Sequence, residues 1–194
     1  MKIAVVGASG MVGSRVVAEA VRRGHDVTPV SRNTGEVRGD ATDRELMDSV
    51  LSGVDGAVVA TAGVTSTVLL DAALATGTRV IVVGGAAPLR TPDGTGLVLD
   101  DDRYVPPHIR PVAEASMRQL AECEAHRADW AYLSPPALLE PGERTGTYRR
   151  GTDVLLTGPS SISAEDLAVA VLDELESPGE DRRFTVASRG PAAG

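Results

Sequence analysis

The residues of this chain with the clearest chemical purpose are three glycines, Gly7, Gly10 and Gly13, each separated by two residues. A glycine-rich turn of this spacing brings backbone N–H groups and the positive end of a helix dipole to one point, which suits a pyrophosphate. A side chain at Gly7 or Gly10 is expected to collide with the phosphate, and Gly13 lets the next helix lie close on the strand before it. Ser9, Met11 and Val12 occupy the intervening positions and belong to the same expected seat. The triplet alone also describes a tight turn that binds nothing. Its context argues for the dinucleotide reading, because an apolar run stops at Gly7 and a helical face of Val12, Val16, Val17, Ala20 and Val21 begins at once.

A second set of residues falls where such a fold meets the adenosine. Ser31, Arg32 and Asn33 follow the second apolar segment. An acidic residue there would accept hydrogen bonds from the 2′-hydroxyl of NAD, whereas a guanidinium with small polar donors suits a 2′-phosphate. The expected cofactor is therefore NADP, with NADPH preferred over NADH; a surface arginine after a strand is the bland alternative. Asp40 and Ala41 fall where the adenine edge would sit. Ala60, Thr61, Ala62 and Gly63, then Gly84 and Gly85, are small residues at strand ends that let a cofactor pass close. Ser134, Pro135 and Pro136 follow the sixth strand and are expected to wall the nicotinamide end.

These positions need a scaffold, and the periodicity supplies one. Short strand-like segments at Asp26–Ser31, Val37–Asp40, Asp55–Ala60, Thr78–Val83 and Trp130–Leu133 alternate with helical patterns. Pro29 suits an edge or irregular place in its strand. Arg22-Arg23-Gly24 stops the first helix, and Thr42-Asp-Arg-Glu45 reads as a capping box with Leu46, Met47 and Val50 facing inward. Val68, Leu69, Ala72 and Ala73 mark a third helix, and a fourth is expected over 112–127 with Ala113, Met117, Leu120 and Ala121 inward. Residues 141–150 read as a polar turn, Asp153–Thr157 as a short strand, Ser163–Asp166 as the cap of a helix burying Leu167, Val171, Leu172 and Leu175, and Arg183–Ala187 as a last strand. Residues 190–194 should fray. The alternation predicts an α/β, Rossmann-like, doubly wound and mainly parallel sheet with helices on both faces. It is read as one domain over 1–194, with substrate-side elements at 86–111 and 134–160; the long proline-rich loop at 86–111 leaves the ligand-binding edge of the sheet and is a candidate cover.

Composition sets limits. The net charge of −8, with no basic run longer than two residues, disfavours nucleic acid as a partner. No apolar run approaches the roughly 20 residues that cross a bilayer, and Lys2 is too slight a basic region for a signal peptide. A single cysteine, Cys123, cannot form an internal disulfide and fits a cytoplasmic setting. A monomer or homodimer is expected.

Several segments together resemble the atypical short-chain dehydrogenase/reductase superfamily. They are Gly7–Gly13, Val58–Gly63, Val82–Gly85, Asp129–Pro135, Pro141–Gly146 with Tyr148-Arg149, and Ile162–Asp166. The likeness is greatest to small NAD(P)H-binding proteins of the NADH-flavin reductase, biliverdin/flavin reductase and NmrA-like kinds. The resemblance implies a Rossmann-like domain that reduces a flavin, such as FMN, or another planar acceptor. One departure matters. Dehydrogenases of the wider superfamily use a Tyr-x-x-x-Lys pair to move a proton to a carbonyl oxygen. Here Tyr104, Tyr132 and Tyr148 are followed four residues on by His108, Pro136 and Thr152, and Lys2 is the only lysine. Hydride addition to a carbonyl makes an alkoxide that needs a positioned acid. Addition to a flavin leaves a delocalised anion that water can protonate, so the site need only stack two rings.

The expected function is direct hydride transfer from NADPH to a flavin or quinone-like ring, with no metal. Two alternatives stand beside it: a non-catalytic NADP(H)-sensing regulatory protein, and a reductase or isomerase of a polycyclic metabolite. His108, in the long loop, and Tyr148 are the candidate proton donors; Tyr148 with Arg149 and Arg150 is also a candidate holder of a flavin phosphate. His126 reads as an exposed imidazole at a helix end. The run Asp100–Asp102 reads as solvated, and Cys123, between Glu122 and Glu124, as inert.

Overall fold

The computed structural model describes residues 1–35, 37–63, 67–158 and 160–190. Its order is β1 (Lys2–Val6), α1 (Met11–Arg22), β2 (Asp26–Ser31), β3 (Val37–Arg38), α2 (Arg44–Leu51), β4 (Gly56–Val59), α3 (Thr67–Thr76) and β5 (Arg79–Val83). There follow α4 (Arg110–Glu124), β6 (Trp130–Ser134), β7 (Leu138–Glu140), β8 (Tyr148–Gly151), β9 (Ser161–Ser163), α5 (Ala164–Glu176) and β10 (Arg183–Ser188). The main sheet runs β3-β2-β1-β4-β5-β6-β10-β8, and only the β8–β10 pair is antiparallel. The chain leaves β1 toward β2 and returns on its other side at β4. That reversal is the topological switch point where doubly wound sheets open a crevice.

The central strands β1, β4, β5 and β6 read as nearly unbroken apolar runs because both faces are covered. Ala4, Val6, Ala57, Val59, Val80 and Val82 point into one core with Met47, Leu69, Leu70 and Leu120 of α2, α3 and α4. Ile3, Val5, Val58 and Ile81 alternate to the other side, against Val16 and Ala20 of α1 and Leu167, Val171 and Leu172 of α5. Pro29 pairs with Val5 of β1, while pairing with β3 starts only at Val30, so its missing N–H faces a bare stretch of edge.

Several local expectations are corrected. Asp43, not Thr42, caps α2 by accepting from the Leu46 N–H, and Thr42 bonds instead to Asp40. The inward face of α4 is Ser116, Gln119, Leu120 and Cys123, and Ala121 is exposed. No strand forms over 153–157, where Val154 makes a single bridge to Arg90; the polar stretch before it supplies β8 instead. Residues 191–194 lie outside the described residues. The 86–111 segment contains two short 3-10 turns and has its own small core of Leu89, Val98, Val105 and Leu155, tied by the Leu155 N–H to the Arg90 carbonyl.

On α1 the expected face is shifted: Val21 is exposed and Glu19 is buried. The reason is a three-arginine clasp. Glu19 accepts from Arg22 at 2.7 and 2.8 Å, from Arg23 at 2.8 Å and from Arg144 at 2.8 and 3.0 Å. These bonds, led by Arg22, hold its carboxyl well below the ordinary 4.5 against the opposing effect of burial. Arg144 comes from the loop before β8, so one carboxylate ties that loop to α1. Glu19→Gln should cost about 2 kcal/mol at neutral pH, less than a fully buried pair because Arg22 and Arg144 are partly solvated. A carboxyl with a depressed folded pKa stabilises above its unfolded value and loses that contribution as pH falls. The gap between variant and wild type should therefore narrow below about pH 4.5, checked by urea unfolding at neutral and acidic pH.

Candidate functional site

At the switch point, a cleft of about 490 Å³ opens between the ends of β1, β2, β4 and β5. Its middle is the turn from β1 into α1, lined by Val6, Gly7, Ser9, Gly10, Met11 and Val12. Gly10 is the N-cap of α1 and has no side chain to cap it, so the first-turn N–H groups are left for a ligand. Gly7 lies at φ +89°, and a Cβ there would fall 2.6 Å from the Ala60 carbonyl oxygen. Its glycine is therefore required by the protein's own packing, not only by a phosphate. Gly13 does not line the cleft. It is buried beneath the turn, where a Cβ would stand 2.1 Å from the Gly7 carbonyl oxygen.

One end of the cleft is lined by Ser31, Arg32, Asn33, Gly39, Asp40 and Ala41. The Ser31 hydroxyl is committed to the Thr34 carbonyl and Thr34 Oγ1, closing the turn that presents Arg32. Arg32 is exposed and has no hydrogen-bond or ion-pair partner among the described residues. Asp40 Oδ1 accepts from the backbone and hydroxyl of Thr42, each at 3.0 Å, which fixes its carboxylate beside Ala41. A long cleft with uncapped helix amides at its centre and an exposed guanidinium at one end fits a dinucleotide.

The other end is lined by Ala60, Thr61, Ala62, Val83, Gly84 and Leu139. None of these side chains ionises. Gly63 and Gly85 stand just behind them and do not line the cleft; their missing Cβ atoms make room for Ala115 and Ser116 of α4. Ser134, Pro135 and Pro136 are buried and do not reach the cleft, and the Ser134 carbonyl accepts from Thr185. Val6, Gly39, Val83 and Leu139 are lining residues that sequence reasoning missed. Val6 and Val83 are the last residues of their strands, so extending each strand end back by one would have found them. Leu139 carried no such signal, because it is placed by β7 pairing with β9.

The candidate proton donors are not brought to the cleft. His108 is exposed in the 3-10 turn before α4. Tyr148 packs on the side of the sheet covered by α1 and α5, its hydroxyl donating to Asp173 at 2.8 Å, and burial with that carboxylate pushes its pKa up. Arg149 donates to the Ser188 and Thr157 carbonyls, and Arg150 pairs with Glu174 while stacking on Phe184. Nor does any residue of 86–111 line the cleft. His126 is half-buried, facing Asp71 at 3.2 Å and accepting the Ala128 N–H, rather than solvent-exposed. Cys123 is fully buried and its thiol is pushed up to about 12, chiefly by burial, with Glu122 and Glu124 adding to it.

The two C-terminal motifs meet each other. Glu165 accepts the Gly142 N–H at 2.7 Å, Asp166 accepts the Gly146 N–H at 2.8 Å, and Ser163 donates to the Glu143 carbonyl at 2.8 Å. The loop is thereby clamped onto the start of α5, and that clamp sets the approach of β7 with Leu139. Among the described residues no cluster of three or more His, Cys, Asp or Glu could hold a metal, and no helix is long and apolar enough to cross a membrane.

A family model described as NAD(P)H-binding matches residues 7–178. The Bacillus subtilis protein YwnB, itself uncharacterised, is 34% identical across 97% of this chain and 99% of its own length. A Streptococcus pneumoniae structure provisionally named an NADH-flavin reductase superposes with a TM-score of 0.85 at 29% identity, covering 97% of this chain and all of its own. A Burkholderia pseudomallei structure provisionally named an exported protein gives 0.82 at 38% identity, covering 96% and 99%.

Proposed function

The chain belongs to the NAD(P)H-binding family of the atypical short-chain dehydrogenase/reductase superfamily, and from that membership we propose that it is an NADPH-dependent reductase of a flavin or quinone-like ring. The observation that carries the reading is the contrast between the two ends of the cleft. Among the described residues the charged lining, Arg32 and Asp40, is at the adenosine end, and the end left for nicotinamide and acceptor has no ionisable side chain. Such a site can stack and orient two rings but cannot deliver a proton to an alkoxide.

In this reading the first-turn amides of α1 receive the pyrophosphate, Arg32 receives the 2′-phosphate, and Asp40 with Ala41 borders the adenine. The bound cofactor supplies a hydride. Ala60, Thr61, Ala62, Val83, Gly84 and Leu139 exclude water from the ring face and hold the acceptor in contact. The acceptor takes one proton from solvent. The name of the pneumococcal relative favours a flavin, although it specifies NADH, where Arg32 here favours NADPH. We place the protein in the cytoplasm, where reduced nicotinamide is regenerated and the buried, unpaired Cys123 would stay reduced. The reading with His108 or a tyrosine as acid loses its support, since none of them lines the cleft.

Purified protein should oxidise NADPH on addition of FMN, riboflavin or a simple quinone, followed by loss of nicotinamide absorbance. Its kcat should be flat from about pH 6 to 8, since no group of the enzyme titrates at the reacting end. Tight NADP binding without turnover on any such acceptor would overturn the reductase reading in favour of a cofactor sensor.

A further inference from the structure

Behind the acceptor end of the cleft lies a buried polar chain that joins α4 to both strand exits. Gln119 is 1% exposed and donates through Nε2 to the Thr61 carbonyl at 3.4 Å. Its Oε1 lies 3.3 Å from the hydroxyl of Tyr132, also 1% exposed, and that hydroxyl is 2.9 Å from the Ser116 carbonyl. A Cβ on Gly84 would fall 1.9 Å from the phenolic oxygen, so the phenol fills the space behind a cleft-lining glycine.

Ordinary packing would not choose these residues. The surrounding core is aliphatic, and two buried polar side chains cost stability unless each bond they make is kept. What they join is specific: one contacts the exit of β4 at Thr61, the other the exit of β5 at Gly84. Those exits are the two lips of the cleft where it has no charge of its own. Burial holds the Tyr132 phenol protonated by pushing its pKa up, so it remains a donor throughout the physiological range.

We infer that Gln119 and Tyr132 are a positioning pair: their hydrogen bonds set the separation of the Thr61 and Gly84 lips, and so the seat of the nicotinamide ring, without touching cofactor or acceptor. The inference rests on the proposed dinucleotide site but not on turnover. It predicts that loosening the pair harms binding of the nicotinamide half of the cofactor and spares the adenosine half.

The test compares binding of NADP⁺ and of 2′,5′-ADP, which has no nicotinamide, by calorimetry on wild type, Gln119→Leu and Tyr132→Phe. Both variants should lose about tenfold in NADP⁺ affinity while 2′,5′-ADP affinity is unchanged, as expected when a binding surface shifts by a fraction of an ångström. Ser116→Ala is the control: its hydroxyl serves only the Ala113 carbonyl, and the backbone acceptor for Tyr132 is retained, so both affinities should hold. Thermal unfolding of each variant shows whether it is folded, and Tyr132→Phe, which removes one oxygen, keeps the test open if Gln119→Leu is not. Equal losses for both ligands would mean a merely structural role and overturn the inference, as would no loss for either. A wild type that binds NADP⁺ but never reduces an acceptor would sink the reductase reading and leave this result standing. A wild type that binds neither ligand overturns both.

Discussion

Arg32→Glu will weaken NADPH by about 100-fold, close to 3 kcal/mol, and will leave NADH unchanged or improved. The exposed guanidinium has no protein partner among the described residues, so its removal should not disturb the fold. What is lost is a set of charge-assisted bonds to the 2′-phosphate, and what is gained is repulsion of that phosphate. A glutamate there can also accept from the 2′- and 3′-hydroxyls of NADH, the arrangement that NAD-dependent folds use. The measurement is the ratio of kcat/KM for the two cofactors, or of their dissociation constants if turnover is absent. Equal losses would remove the 2′-phosphate assignment, and with it the reason to prefer NADPH.

Gly13→Ala should have a large structural effect for a single methyl group. The added Cβ would stand 2.1 Å from the Gly7 carbonyl oxygen, 2.7 Å from its carbon and 3.0 Å from the Ala8 Cα, and backbone atoms cannot swing aside. Helix α1 would have to lift from β1, yet it is held from behind by α5, to which Arg23 donates at Val169 and Glu176, and by Arg144, which donates to Glu19. We expect a loss of about 3 kcal/mol, at the upper end of overpacking costs, together with a cofactor affinity too weak to titrate. Gly96→Ala provides the comparison, since nothing lies within 4 Å of a Cβ there. Its melting temperature should match wild type, and a Gly13→Ala protein as stable and as tight-binding as Gly96→Ala would mean that α1 can move freely.

The contrast between these two sites shows what sequence can and cannot convey here. Strand β1, the turn at Gly7 and the first helix lie within one continuous segment, and their apolar runs and glycine spacing are local signals. So are β4, β5 and β6, whose burial on both faces leaves unbroken apolar runs. The adenosine end was legible for the same reason: Arg32 and Asp40 follow immediately after strands. The acceptor end was legible only in part: Ala60, Thr61, Ala62 and Gly84 follow β4 and β5, but the rest of its lining carried no such signal. Its lip at Leu139 depends on β7 meeting β9, more than twenty residues later in the chain. Tyr148 looked like a catalytic group because its partner, Asp173 on α5, is as far away again. Ser134, Pro135 and Pro136 are assigned to the nicotinamide by strand counting alone; they follow β6, one strand beyond β5, and are buried outside the cleft lining. Buried Glu19 broke the helical pattern of α1 because its three arginines come partly from a loop that no local window contains.

The tight contact between Gly84 and Tyr132 has a consequence for how such a protein can diverge. The missing side chain at one position and the phenol at the other occupy the same volume, so neither can change alone without a clash or a void. The two should therefore behave as one heritable unit. A lineage that keeps the tyrosine is held to glycine at the lip, and one that first trades the ring for a smaller residue is released to place a side chain in the acceptor's path. The gate to new acceptor preferences would then lie behind the cleft wall, at a residue that no acceptor ever meets.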